Sequence, residues 1–438
     1  MAHGAPGGGT DDDRVSLDDE KFIRDPHAAL EQLRGEYGTL APIYLAPGIP
    51  ATLVLGYRTA VQILFDPDHF PADPRLWEAT VAADCPLRPM LAWRPAARFT
   101  DGPEHAEYRN VSRAAIDPVD LYAMHATVED LATALVNTWI ETGRADLASH
   151  YALPLTFAVL NNLIGCPADI GKRVTAGMAA RFNATASSEQ GMNELTDALS
   201  ELVQLKRDQP GDDMTTRLIN HPIKLRDEIT KLRDDEIVAQ LASFYGAGIE
   251  ATRNLIVNAL HLMLTDDAFG GSVLGGNLSP RDAVDWVLFN NPPMANFCIT
   301  YPRQPVLIDH TWLPAHQPVV ISITACNLDP HACGQLTIPG LHNEPDAVVD
   351  RTGNRSHLAF GTGGHACPAR DVAYQLAVDA LVYLLDLVPE IKLDPAEELV
   401  PRPGPFQRAL EALPVVFPKT KPIRVPPRTA PRIQPTRG

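Results

Sequence analysis

Phe360-Gly361-Thr362-Gly363-Gly364-His365-Ala366-Cys367-Pro368-Ala369 places one cysteine straight after a glycine-rich loop and straight before a helical pattern through Val372, Leu376, Ala380 and Leu384. Glycines let a backbone bend tightly and approach a flat ligand closely. A cysteine at the mouth of a helix meets free N–H donors and positive dipole, which favour thiolate over thiol. A thiolate beneath a planar cofactor is the expected axial ligand of an oxygen-activating haem iron.

The order Phe, Gly, Gly, His, Cys resembles the haem-binding loop of the cytochrome P450 family, F-G-x-G-x-H-x-C-x-[GA]. It matches at every fixed position, Ala369 supplying the small residue that ends the motif. The resemblance implies a mainly α, single-domain cytochrome P450 fold with small β-sheets. It also implies haem b (iron protoporphyrin IX) ligated by Cys367, with Phe360, Gly361 and His365 against the cofactor.

Composition bounds the alternatives. The chain has 438 residues, 45% of them hydrophobic, and a formal charge of −17 at pH 7. Such acidity argues against nucleic acid or an anionic membrane as partner. The six cysteines (85, 166, 298, 326, 333 and 367) form no CxxC pair, so a structural zinc site is not expected, and their usage suits a reducing, cytoplasmic setting. No apolar run reaches membrane-spanning length, and no signal-peptide core is present. Residues 1–17 read as a disordered leader, 18–417 as one α-rich domain, and 418–438 as a Pro/Arg-rich basic tail.

Periodicity predicts helices near 27–37, 57–66, 104–115, 127–142, 150–164, 234–265, 280–289 and 369–387. Short strands are expected at 43–45, 52–55, 306–308, 319–323 and 413–417. The 234–265 pattern is the longest and carries Gly246-Ala247-Gly248-Ile249-Glu250-Ala251-Thr252 at its middle. Two glycines inside a helix cost about 1 kcal/mol each relative to alanine, which marks a bend or the close approach of another group. The segment resembles the family's central distal-helix motif, [AG]-G-x-[DE]-T, whose acid and threonine relay protons to the reacting dioxygen. Ala247, Gly248 and Glu250 match. Ala251 stands where the threonine belongs, and Thr252 follows one position late, turned about 100° around the helix. Thr252, a water or a substrate hydroxyl is then the expected source of the missing hydroxyl.

Haem propionates require cationic or N–H donors. His105 and Arg109, at i and i+4, resemble the family's third-helix motif P-x-H-x-x-x-R, and His365 is the matching donor from the cysteine loop. The arginine that the family carries after its Pro-Pro turn is missing here. Thr300 lies near that place, and Arg303 is the nearest cation. The family's E-x-x-R falls on Trp286-Val287-Leu288-Phe289, so acid and arginine are both absent, and the meander at 339–350 lacks a clear P-x-R-F. Joint loss leaves no isolated buried charge, and Trp286 and Phe289 are expected to fill the volume by packing. Actinomycete branches of the family that lack this motif are similar.

The resemblance implies a monooxygenase acting on a small organic substrate, fed by a ferredoxin and an NAD(P)H-dependent ferredoxin reductase. Candidate substrate contacts are Trp77, Met90 and Leu91 from the loop at 73–97, with Phe244, Met294, Phe297 and Phe406. Each has core packing as its alternative. A haem protein without turnover, acting as a redox or gas sensor or as a complex partner, is the competing expectation, drawn from Ala251 and the missing E-x-x-R.

Overall fold

The computed structural model describes residues 14–17, 19–183, 188–225, 228–265, 279–330 and 355–423. Its spine is the central helix, Asp234–Thr265. Asp234, Asp235 and Glu236 fill the helix's first turn, where carboxylates complement the dipole. Helices Leu121–Asn137, Leu153–Ile164, Pro280–Asn290 and Arg370–Leu387 bury their apolar faces with its C-terminal half in the largest core cluster. Within that cluster Tyr151 is fully buried and its hydroxyl donates to Ala380 O at 2.7 Å. The Pro280 helix starts with a capping box. Ser279 accepts from the Asp282 amide, and Asp282 accepts from the Ser279 amide.

Helices Ala168–Asn183, Ser188–Asp208 and Met214–Asn220 form a second cluster with the N-terminal half of the central helix. Periodicity did not predict these three. Gly177 explains part of the omission: a Cβ there would lie 2.7 Å from Leu195 Cβ, so the glycine permits two helices to touch. In sequence the same residue reads as a breaker. The helix expected over 127–142 begins six residues earlier and ends at Asn137.

Among the described residues twelve short strands are β1 Val15–Ser16, β2 Leu40–Ala46, β3 Ile49–Val54, β4 Arg144–Asp146, β5 Pro222–Leu225, β6 Glu228–Lys231, β7 Asn296–Thr300, β8 Val306–Ile308, β9 Thr311–Leu313, β10 Val319–Ser322, β11 Lys392–Leu393 and β12 Pro414–Val416. The main sheet has the order β1-β2-β3-β10-β7. In it β2 and β3 are antiparallel, β3 and β10 parallel, and β10 and β7 antiparallel with a register shift. All five expected strands are present, whereas β1, β4, β5, β6, β7, β9 and β11 were not expected.

Val15 and Ser16, within the segment read as leader, pair with β2, and Leu17 is buried. At the other end Asn137 exchanges hydrogen bonds with the Ile423 backbone, inside the expected tail. The rest of the leader and of the tail, and the meander at 339–350, lie outside the described residues. Among the described residues no helix is long and apolar enough to cross a membrane.

Candidate active site

The cysteine loop is held by its own backbone. Gly361 N donates to Leu358 O at 2.8 Å, Ala366 N to Gly363 O at 3.2 Å, and Cys367 N to Phe360 O at 2.7 Å. Gly361 and Gly363 both have φ near +70° (67° and 70°), a region that favours glycine. The loop is anchored from behind by Asn327. Its Oδ1 accepts from Leu358 N at 2.7 Å, while its Nδ2 donates to Leu288 O and Phe289 O at 3.0 and 3.1 Å. Asp329, two residues on, accepts from Tyr57 N at 2.8 Å. The N-x-D-P turn therefore ties three elements together.

Cys367 lies deep but keeps accessible surface, so its thiol borders an internal hollow. Burial pushes that thiol above its ordinary pKa. The Ala369 amide, Arg109 and Arg370 act in the opposite direction. A metal ion bound at Cys367 would favour the thiolate over the thiol.

The surroundings fit a porphyrin carrying carboxylates. The His105 and His365 rings are tilted against each other with centroids 4.1 Å apart. His105 Nε2 is buried and has no partner among the described residues. Burial, with help from His365 and Arg109, lowers its pKa to about 4, so His105 is neutral and offers an N–H rather than a charge. His365 Nε2 lies 3.5 Å from Asp101 Oδ1, and Arg109 Nη2 donates to the Ala366 carbonyl of the loop itself. A Cβ at Gly361 would sit 3.5 Å from Cys298 Sγ, so the bare glycine keeps the loop's flank open. His105, Arg109, His365, Phe360, Gly361 and Cys367 are thus brought together. Arg303 is not: it is exposed, and its backbone donates to His69 O.

The central helix turns one face toward open space. Phe244, Gly248 and Ala251 are half-buried and Ala247 is exposed, although much of the helix is core. These positions follow i, i+3, i+4, i+7, the spacing of a single helical stripe. Ala251 lies on that stripe. Thr252 is 5% accessible and falls on the buried side, so the one-residue displacement does not restore a hydroxyl at the site. Glu250 is also turned off the stripe, its Oε2 accepting from Arg402 Nη1 at 2.6 Å. Gly248 lacks a Cβ because Leu160 Cδ1 would stand 3.2 Å from it.

Among the candidate substrate contacts, Phe244 is on the stripe, and Met90, Met294 and Phe297 are half-buried. Trp77, Leu91 and Phe406 are only 2%, 3% and 3% accessible, which is core packing. Trp77 sits 5.7 Å from the Tyr301 ring, and Phe406 meets Phe297 edge-on at 6.0 Å.

The network expected to be lost with E-x-x-R is partly rebuilt. Trp286 and Phe289 do pack as apolar filling, and Phe289 meets His357 edge-on at 5.1 Å. Asp285, however, is buried and hydrogen-bonded to Tyr374, with Arg355 and Arg281 stacked 5.7 and 5.8 Å from the Tyr374 ring. One acid persists a single position earlier, and its arginine comes from just before the cysteine loop. A cavity of about 160 Å³ bordered by Arg281, Asp285, Arg355, Arg370 and Tyr374 opens there. Sequence reading missed this group because it joins two stretches, 281–285 and 355–374, that lie 70 residues apart in the chain.

A deep thiol on a glycine loop, donors for carboxylates beside it and an open stripe on a long central helix define a haem-thiolate oxygenase. No family model matches the chain. It is 28% identical over 407 residues to the cytochrome P450 monooxygenase PikC of Streptomyces venezuelae, covering 90% of this chain and 92% of the relative. It is 25% identical to the 2-hydroxy-5-methyl-1-naphthoate 7-hydroxylase of Streptomyces carzinostaticus, covering 84% and 89%. The solved structure of CYP154C4 from Streptomyces sp. W2061 superposes with a TM-score of 0.79 at 28% identity, covering 92% of this chain and 97% of that one. The chain belongs to the cytochrome P450 family and is a haem-dependent monooxygenase.

Proposed function

We propose that the chain holds haem b on Cys367 and hydroxylates or oxidatively couples a small organic substrate of specialised metabolism. In this reading a cytoplasmic ferredoxin and an NAD(P)H-dependent ferredoxin reductase supply the electrons. The observation that carries the reading is the Cys367 thiol, deep yet accessible, at the end of a loop fixed by Asn327. When bound, haem supplies dioxygen activation, and thiolate ligation favours O–O cleavage. His105, His365 and Arg109 orient its carboxylates. Phe244, Ala247 and Ala251 present an apolar wall to the substrate and keep water from it. Because Ala251 has no hydroxyl, a substrate hydroxyl or an ordered water completes the hydrogen bonding there, with Glu250 as the neighbouring acid of the relay.

The cations Arg281, Arg355 and Arg370 beside the cysteine loop stand out on a chain of charge −17. They suit the docking of an acidic ferredoxin, which the rest of the surface would repel. The test is spectroscopic and then kinetic. The reduced, CO-treated protein should give the red-shifted Soret band of thiolate ligation, and Cys367→Ala should abolish it. With surrogate ferredoxin and reductase, NADH consumption should track product. A histidine-type band overturns the reading, and a thiolate band without turnover on a broad substrate panel favours a sensor instead.

A further inference from the structure

Arg98 sits on the short turn Ala97–Phe99 that leads into the His105 helix. Its guanidinium carbon stacks 4.7 Å from the Phe297 ring of β7 and 5.0 Å from Phe99. The group is deep in the protein yet keeps accessible surface, so like Cys367 it borders an internal hollow. Burial lowers its pKa to about 10, which still leaves it charged near neutrality. Among the described residues no carboxylate pairs with it and no acceptor takes a hydrogen bond from it. The ionisable groups around it are Tyr301, Arg94 and Cys298. A buried cation without an anion is costly, so its partner is expected to come from outside the polypeptide.

Position identifies that partner. Arg98 packs on β7, the strand that follows Pro292-Pro293 and has no cation of its own. Cys298, Ile299 and Thr300 occupy it, and Thr300 Oγ1 is buried without a partner among the described residues. Cys298 Sγ in turn lies 3.5 Å from where a Gly361 Cβ would be, so the strand that Arg98 packs on reaches the cysteine loop. His105 is neutral and Arg109 is engaged with Ala366 O. Of the expected donors Arg109 alone carries a fixed charge, which leaves a second carboxylate without one.

We propose that Arg98 forms the ion pair with a haem propionate that the missing β7 arginine would otherwise make. A planar fork matches a carboxylate, and aromatic faces on two sides hold it in place. The assignment rests on haem being bound at Cys367, and the test separates the two. Holoenzyme carrying Arg98→Gln should keep the red-shifted CO band but lose haem to apomyoglobin about ten-fold or more faster than wild type, the scale of one charge-assisted hydrogen-bond pair. Arg303→Gln should lose haem at the wild-type rate. Arg98→Lys, which keeps charge and approximate volume, should be intermediate and should shift the propionate bending band in resonance Raman spectra. This second variant decides the matter where the glutamine variant does not fold. Wild-type haem retention in Arg98→Gln, or an unshifted band with unchanged retention in Arg98→Lys, overturns the proposal and leaves Arg98 to an acidic substrate. A wild-type protein lacking the thiolate band would instead overturn the Cys367 assignment.

Discussion

Arg402 Nη1 and Glu250 Oε2 meet at 2.6 Å, so the acid of the central helix is clamped to the loop before the last strand. Glu250 is nearly buried and Arg402 about a quarter exposed (side chains 10% and 28% accessible), so each needs the other. Removing the charge at either end should have different consequences. Glu250→Gln should leave the CO spectrum intact and lower product formation about 10- to 100-fold, the low end of a general-acid contribution. Arg402→Gln should instead lower stability by about 2 kcal/mol, seen as an earlier urea midpoint, because a mostly buried carboxylate loses its donor.

Ala251 faces the open stripe while Thr252 faces the core. Ala251→Thr should therefore raise the ratio of product to NADH consumed several-fold with a substrate that lacks a hydroxyl, because a fixed hydroxyl then sits beside the reacting oxygen. Thr252→Ala should leave that ratio unchanged. A fall in coupling in Thr252→Ala would show that the displaced threonine does serve the relay.

How much of this was legible in the sequence depended on whether the information was local. The Cys367 loop was readable because ten consecutive residues encode both the turn and the ligand. His105 and Arg109 were readable because one helical turn separates them. Arg98 was not, since its significance comes from touching Phe297, 199 positions away in the chain numbering. Asp285 could not be paired from sequence because its partners, Tyr374 and Arg355, arrive from other elements. Trp77, Leu91 and Phe406 could not be sorted from the core in sequence for a related reason. An apolar side chain carries no mark of whether its neighbour is a ligand or the core, and only three-dimensional accessibility divides these three from Phe244. The helices 168–208 were lost to glycines that allow close packing.

Gly363 and Gly364 are adjacent, and substitution should separate them sharply. A Cβ on Gly363 would press into the Leu64 carbonyl oxygen well inside contact distance, and its φ of +70° strains any side chain. At Gly364 the nearest atom would be His105 Cε1 at 3.5 Å, ordinary contact. Gly363→Ala should cost about 2 kcal/mol or more and yield protein largely free of haem. Gly364→Ala should retain haem near the wild-type level. The ratio of Soret to protein absorbance after purification measures both.

Asp285 gives the fold a defined response to pH. Burial raises its pKa, and the Tyr374 hydrogen bond and the Arg355 charge only partly oppose that shift. A carboxyl that holds its proton more tightly when folded contributes stability that is fully present below the unfolded carboxylate range. That contribution is lost as pH rises through the raised folded value. Wild type should therefore lose stability through this group between acid and neutral pH, whereas Asp285→Asn cannot. The destabilisation caused by Asp285→Asn should accordingly be smaller at neutral pH than at mildly acidic pH. Tyr374→Phe removes a donor that favours the charged form, so it should push the carboxyl higher and steepen the wild-type decline. Urea midpoints at the two pH values, read for all three proteins, check the sign. A penalty for Asp285→Asn that grows toward neutrality would mean that Arg355 and Tyr374 outweigh burial, and that Asp285 acts as a true ion-pair partner in place of the lost E-x-x-R.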